Sequence, residues 1–171
     1  MKVRKGFVSN SSSTAFVFLF KGESIFKMLE KYKTYFELYY DCYGGDKYTC
    51  TAEDVSDSIK KVLSSEHSDY DLNGRIIDVD SVINDEKKDM AEWSKLEEKN
   101  PSYIEYIFES QEKITKLEGA KKRGLDKALV INFGDNHGEV SGGNIGMAMD
   151  YEGRSISINK PDFIVYTYQC R

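Results

Sequence analysis

The sequence has few of the residues from which disulfide scaffolds, metal centres and flexible linkers are built. It contains three cysteines, two histidines, two prolines and one tryptophan. Cys42, Cys50 and Cys170 are an odd number at spacings that match no disulfide framework, which favours a reducing cytosol. The C-x2-C spacing of a structural zinc site is also missing. Because no linker-like segment interrupts the chain, we predict one domain over residues 1–171.

Long hydrophobic runs are missing as well. The unbroken apolar run at residues 15–20 is far shorter than the about 20 residues that a membrane-spanning helix needs. It is also too short for the core of a secretory signal, and Lys21 follows it where a cleavage site would stand. We therefore expect an intracellular protein without a membrane partner.

Outside the N-terminus, acidic residues outnumber basic ones. The formal net charge is -5, yet residues 1–22 hold four basic and no acidic side chains, against 20 basic and 29 acidic in the remainder. This balance gives no general attraction to nucleic acid or to anionic membranes. The basic N-terminus is expected to be a solvated terminus, or to face the acidic body of the protein or an acidic partner.

What the sequence does have is aromatic and apolar residues in patterns typical of an α+β fold. Aromatics make up 13% of the chain, which favours a packed core over disorder. The run at residues 15–20 predicts a central strand covered on both faces. Strand patterns recur in the last forty-five residues, which we interpret as a β-meander, at 128–133, 144–151, 154–158 and 163–168.

The middle of the chain has the 3.6-residue periodicity of helices. We predict helices at residues 24–32, 52–63, 79–98 and 101–123, with Thr51–Asp54 as a capping box and Asn100-Pro101 joining the last two as an antiparallel hairpin. Asn73-Gly74 is typical of a turn, and Tyr35–Tyr40 fits either a helix or a strand. The predicted buried positions of the hairpin are Val82, Ile83, Met90, Trp93, Leu96, Ile104, Ile107, Phe108, Ile114 and Leu117.

Together these patterns predict an α+β domain. Its mixed sheet is formed by the N-terminal strand and the C-terminal β-meander, and the helical middle region packs on that sheet. The β-rich ends are residues 1–22 and 125–171, and the helical region is residues 23–124.

Two stretches are candidates for function. Asp135, His137 and Glu139 alternate in a glycine-rich loop, so an extended backbone would place them on one face, as a small metal or acid–base site needs. A plain hairpin explains the same glycines. The other stretch is tyrosine-rich, and tyrosine is over-used at protein interfaces; an ordinary sheet or helix face is the alternative. Its candidate binding residues are Tyr35, Tyr39, Tyr40, Tyr43 and Tyr48.

The opening Arg4–Phe16 resembles an N-terminal motif, R-[NK]-G-F-V-S-N-S-S-S-S-S-F, of proteins from tailed bacteriophages and some bacteria, a group with no established activity. Thr14 and Ala15 depart from the serines of that motif, and Cys170 stands where such proteins often have Asn before the last Arg. The C-terminal stretch from Phe133 is similar to the ends of such proteins. The resemblance covers the two β-rich ends and implies a phage or prophage product in a bacterial cytoplasm.

From residues and resemblance together, the leading hypothesis is a small phage-encoded accessory protein. It would bind a host protein, such as one of antiviral defence, and inhibit or redirect it, without a cofactor. One alternative is a metal-assisted hydrolase of a phosphate-containing substrate that uses Asp135, His137 and Glu139. Another is a minor virion component.

Overall fold

The computed structural model describes residues 13–22, 24–41, 47–64, 72–133, 150–151 and 154–170. None of the helices in these ranges has both the length and the apolar character needed to cross a membrane. The helices in the described part of the chain are α1 (Ile25–Lys31), α2 (Ala52–Leu63), α3 (Val79–Glu97) and α4 (Ile104–Lys122).

Five of the strands form one sheet, and four shorter strands pair off as two small hairpins. The large sheet has the order β4-β5-β1-β9-β8, and each neighbouring pair in it is antiparallel. The strands are β1 (Ser13–Phe20), β2 (Leu38–Asp41), β3 (Lys47–Cys50), β4 (Leu72–Asp78), β5 (Lys127–Phe133), β6 (Asp150–Tyr151), β7 (Arg154–Ser155), β8 (Ile158–Lys160) and β9 (Phe163–Cys170).

The predicted α+β class is confirmed, and so is the pairing of the N-terminal strand with the C-terminal strands around a helical middle. Two details of the predicted sheet are wrong. The sheet is antiparallel throughout rather than mixed, because each pair of adjacent strands runs in opposite directions. The C-terminal strands also do not form a continuous meander, since β1 lies between β5 and β9.

Helices cover both faces of the sheet because β1 is apolar on both sides. Phe16, Phe18 and Phe20 belong to the core beneath α1 and α2. Val17 and Leu19 point the other way, into a second core beneath α3 and α4. Since side chains alternate along a strand, an unbroken apolar run fits only a strand buried on both faces. The fold is therefore a three-layer arrangement with β1 at its centre.

Polar side chains cap the starts of α1, of α2 and of the 3-10 turn Pro101–Tyr103 that leads into α4. The Ser24 hydroxyl accepts a hydrogen bond from the Phe26 N–H at 3.3 Å. Thr51 and Asp54 bond reciprocally to each other's backbone, which confirms the predicted capping box. The Asn100 Oδ1 accepts from the Ser102 N–H at 3.1 Å, just before Pro101, so the predicted start of the second hairpin helix is also confirmed.

The predicted turn at Asn73-Gly74 is wrong, because both residues lie in the edge strand β4. Asn73 pairs with Asn132 and Gly74 with Ile131, inside a seven-residue strand at the edge of the sheet. Gly74 serves close packing here, because a Cβ added to it would overlap the Cγ1 of Val62 on α2. The glycine therefore lets helix α2 approach the sheet.

Candidate protein-interaction surface

The predicted metal or acid–base residues lie outside the described part of the chain. Asp135, His137 and Glu139 follow Phe133, the last described residue of β5. Among the described residues, no group of three or more His, Cys, Asp or Glu side chains is arranged to hold a metal ion. The hydrolase and virion alternatives therefore stay predictions of the sequence.

The described tyrosines of the predicted binding surface lie in three elements, a 3-10 turn and the paired strands β2 and β3. Tyr35 closes a short 3-10 turn after α1. Tyr39 and Tyr40 lie in β2, and Tyr40 pairs in register with Tyr48 of β3. The segment Tyr35–Tyr40, which fits either a helix or a strand by pattern, thus contains both a helical turn and a strand. Tyr43 lies outside the described residues.

Tyr35 belongs to an exposed polar and aromatic cluster around the turn that joins β8 and β9. Tyr35 is 41% exposed, and the centre of its ring lies 5.2 Å from the Lys160 Nζ. A hydrogen bond with the Tyr35 hydroxyl raises the pKa of Lys160. Beside it, the Tyr32 hydroxyl donates to Asp162 at 2.5 Å while its ring stacks on Phe163. Tyr32 thus anchors α1 to the sheet.

Helices α3 and α4 form the predicted hairpin. Only the half of the hairpin that packs against the sheet contains buried side chains. The buried residues of α3 lie between Val79 and Glu86, and those of α4 lie between Ser110 and Ala120. Residues 87–109, which we name the hairpin tip, contain no buried side chain. The tip therefore needs its own contacts to keep the two helices together.

Three stacked rings supply those contacts. The Trp93 ring lies 5.6 Å from the Tyr103 ring and 5.1 Å from the Tyr106 ring, with interplanar angles of 16° and 26°. The two tyrosine rings lie 6.0 Å apart. All three are half-buried, so they act as a small core between α3 and α4. Aromatic pairs at these distances contribute about 0.5–1.5 kcal/mol each beyond the area they bury.

On the outer side of the same segment, α4 presents an apolar surface to solvent. Ile104 is 43% exposed and Phe108 is 67% exposed. Residues four apart on a helix are neighbours on one face. Gln111 and Thr115 continue that face, and both are exposed and uncharged. We name these four residues the α4 stripe.

Acidic residues border the α4 stripe. Residues 104–112 contain Glu105, Glu109 and Glu112 and no basic residue. Glu112 pairs with Lys116 at 3.0 Å. Neither Glu105 nor Glu109 has an ion-pair partner among the described residues. The stripe is thus an exposed uncharged surface, apolar at Ile104 and Phe108, with an excess of negative charge beside it.

A buried carboxylate lies where the tip meets the packed half of the hairpin. Glu86 and Ser110 are buried, and the Lys113 Nζ lies 3.8 Å from the Glu86 Oε1. Burial raises the pKa of Glu86 despite the attraction of Lys113, and burial likewise raises the pKa of Asp89. On the sheet side, burial raises the pKa of Tyr166, and the negative charge of Glu86 adds to that rise.

The prediction that Ile104 and Phe108 are core residues is wrong. The core side of α4 holds Ser110, Ile114 and Leu117, and Ile104 and Phe108 lie on a different face of the helix. One signal in the sequence points to this. Ile114 and Leu117 are three residues apart on one face of the helix, and Ile104 and Phe108 are four apart on another face. Two apolar faces are more than a helix with one buried side requires.

Comparisons of the chain with protein-family models, with curated proteins and with solved structures found no match. The interpretation of the α4 stripe therefore depends on its geometry and chemistry.

Proposed function

We propose that this protein acts by binding another protein and that the α4 stripe is the contact surface. The observation that carries the proposal is the exposure of Phe108 on a helix whose core-facing side is fixed by buried Ile114 and Leu117. Burying a phenylalanine side chain contributes about 1.5–3 kcal/mol. A partner that covers Phe108 gains the share of this contribution that belongs to the exposed 67% of the residue.

The ring stacking beside the site supports the same function. Ordering a mobile segment costs affinity, but the stacked Trp93, Tyr103 and Tyr106 rings hold the tip in place before any partner arrives. Large aromatic side chains are also the usual centres of binding energy in interfaces. Ile104 extends the apolar area on one side of Phe108, so the surface is larger than one isolated side chain.

We further propose that the partner is a protein of a bacterial host, such as a defence protein, which this chain inhibits or redirects in the host cytoplasm. The support is the N-terminal motif Arg4–Phe16, which resembles phage and prophage proteins. No catalytic or cofactor role is needed for this activity.

The test is affinity capture from bacterial lysate with three versions of the tagged chain: wild type, Phe108→Ala and Tyr35→Ala. Tyr35→Ala is the matched control because it also removes an exposed aromatic ring. We expect a partner captured by wild type and Tyr35→Ala but lost with Phe108→Ala, at an unchanged melting temperature. Capture that survives Phe108→Ala but not Tyr35→Ala would move the function to the tyrosine surface.

A further inference from the structure

We infer that the α4 stripe receives a basic amphipathic helix of the partner protein. This inference rests on the proposed function and names the chemistry of its partner.

The spacing of the α4 stripe points to a helix as the occupant. Positions 104, 108, 111 and 115 follow the steps of four, three and four residues that form the seam between two packed helices. The stripe spans about 17 Å at a rise of 1.5 Å per residue. An occupant helix of about three turns therefore covers it, with its apolar residues packed around Ile104 and Phe108 and its remaining turn beside Gln111 and Thr115.

The charges beside the α4 stripe point to a basic helix. Glu105 and Glu112 each follow a stripe residue directly, so they lie along the same border of the stripe and are exposed. Lysine or arginine on the polar side of the partner helix would face these carboxylates. Charge complementarity of this kind selects partners and speeds their association.

A second copy of this chain fits less well. An antiparallel copy seated on the stripe would place Glu105 beside Glu112 of the other copy, because the acidic borders of the two helices would face each other in reversed order. Like charges in close contact are destabilising. On α4, the basic residue beside this border is Lys116, which already pairs with Glu112 at 3.0 Å.

Two synthetic helical peptides test the inference on the full-length protein by titration calorimetry. Both carry leucines on one face; one carries lysines and the other glutamates on the opposite face. We expect the lysine peptide to bind and the glutamate peptide not to bind. Phe108→Ala should lower the affinity for the lysine peptide at least tenfold, and so should the double variant Glu105→Lys/Glu112→Lys.

The matched control is Glu30→Lys/Glu37→Lys, which makes the same change in charge with two exposed residues in and after α1. Helix α1 packs on the opposite face of the sheet, so this variant should keep the affinity of wild type within about twofold. Equal weakening by both double variants would show general electrostatic attraction and overturn the inference.

Other outcomes distinguish a failure of the basic-helix inference from a failure of the proposed binding function. If neither peptide binds, while Phe108→Ala still loses the partner in affinity capture, the basic helix is wrong and the binding surface stands. If Phe108→Ala changes neither measurement, both proposals are wrong. If the chain is a dimer by light scattering and Phe108→Ala makes it a monomer, the occupant is a second copy rather than a basic helix.

Discussion

Two glycines have opposite effects on the stability of the fold. Gly74 lies in β4 where the Val62 side chain leaves no room for a Cβ, so the helix–sheet contact depends on it. Gly119 lies within α4 with open space around its Cα, so it brings flexibility and no packing benefit. Substituting each of them distinguishes a required glycine from one that only weakens the helix.

We predict that Gly74→Ala lowers the free energy of unfolding by about 1–3 kcal/mol, the usual cost of overpacking a core. Gly119→Ala should raise it by roughly 0.5–1 kcal/mol, because alanine is the better helix former. Urea denaturation of both variants beside wild type measures the difference. A Gly74→Ala variant as stable as wild type would mean that Val62 moves aside without loss.

The Glu86 carboxyl should make stability depend on pH. Folding raises its pKa above the unfolded value of about 4.5, so the folded state holds the proton more tightly than the unfolded chain. The stabilisation is therefore complete below pH 4.5 and is lost as the pH rises through the raised pKa. Lys113, Asp89, Ser110 and Tyr166 are the groups that surround this carboxyl.

We predict that Glu86→Gln, which cannot ionise, removes this decline and leaves stability at neutral pH unchanged or higher. Urea midpoints of wild type and variant at several pH values above 4.5 provide the measurement. Exposed Glu112→Gln, on α4 of the same hairpin, is the control and should keep the decline. If wild type and Glu86→Gln give parallel curves, the buried carboxyl is not the source of the pH dependence.

At the scale of elements, local signals in the sequence predict helices and caps well. Thr51, Asp54 and Asn100 act within three residues of themselves, so their roles follow from the sequence alone. The strand β4 does not follow from it, because Gly74 is typical of a turn unless the position of Val62 is known. The Asp135–Glu139 site stays a sequence prediction.

The exposure of the α4 stripe could not be predicted from the sequence, for a related reason. Ile104 and Phe108 have the spacing of buried residues, and whether that face meets a sheet or solvent depends on how far the hairpin extends past its packed half. That extent is a tertiary property, set by the last buried residues, Glu86 and Ser110. A pattern along one helix carries no information about it.

Two isoleucines on α4 separate the core of the hairpin from the proposed binding surface. Ile114 is 3% exposed and Ile104 is 43% exposed. We predict that Ile114→Ala lowers the free energy of unfolding by about 2–5 kcal/mol, whereas Ile104→Ala lowers it by less than about 1 kcal/mol. Chemical denaturation measures both, and a large loss for Ile104→Ala would place it in the fold rather than on a binding face.

At the scale of the whole molecule, β1 holds the two halves of the core together. It pairs with β5 on one side and β9 on the other, and its residues 16–20 are at most 2% exposed. Its side chains enter both apolar clusters. The fold therefore depends on a strand that lies directly after the basic N-terminal segment.

We predict that a chain without residues 1–20 fails to fold, because β5 and β9 lose their shared neighbour and both clusters lose their central residues. Circular dichroism and the sharpness of thermal unfolding measure this. A soluble truncated chain that melts cooperatively would contradict the central position of β1.

The most direct test of the account is site-specific photo-crosslinking inside bacterial cells. A benzoyl-phenylalanine is placed at position 108 in one strain and at position 35 in another, and crosslinked products are identified by mass spectrometry. We predict a discrete partner protein crosslinked from position 108 and none from position 35. A partner crosslinked from position 35 alone, or identical background products from both, would contradict the α4 stripe as the binding surface.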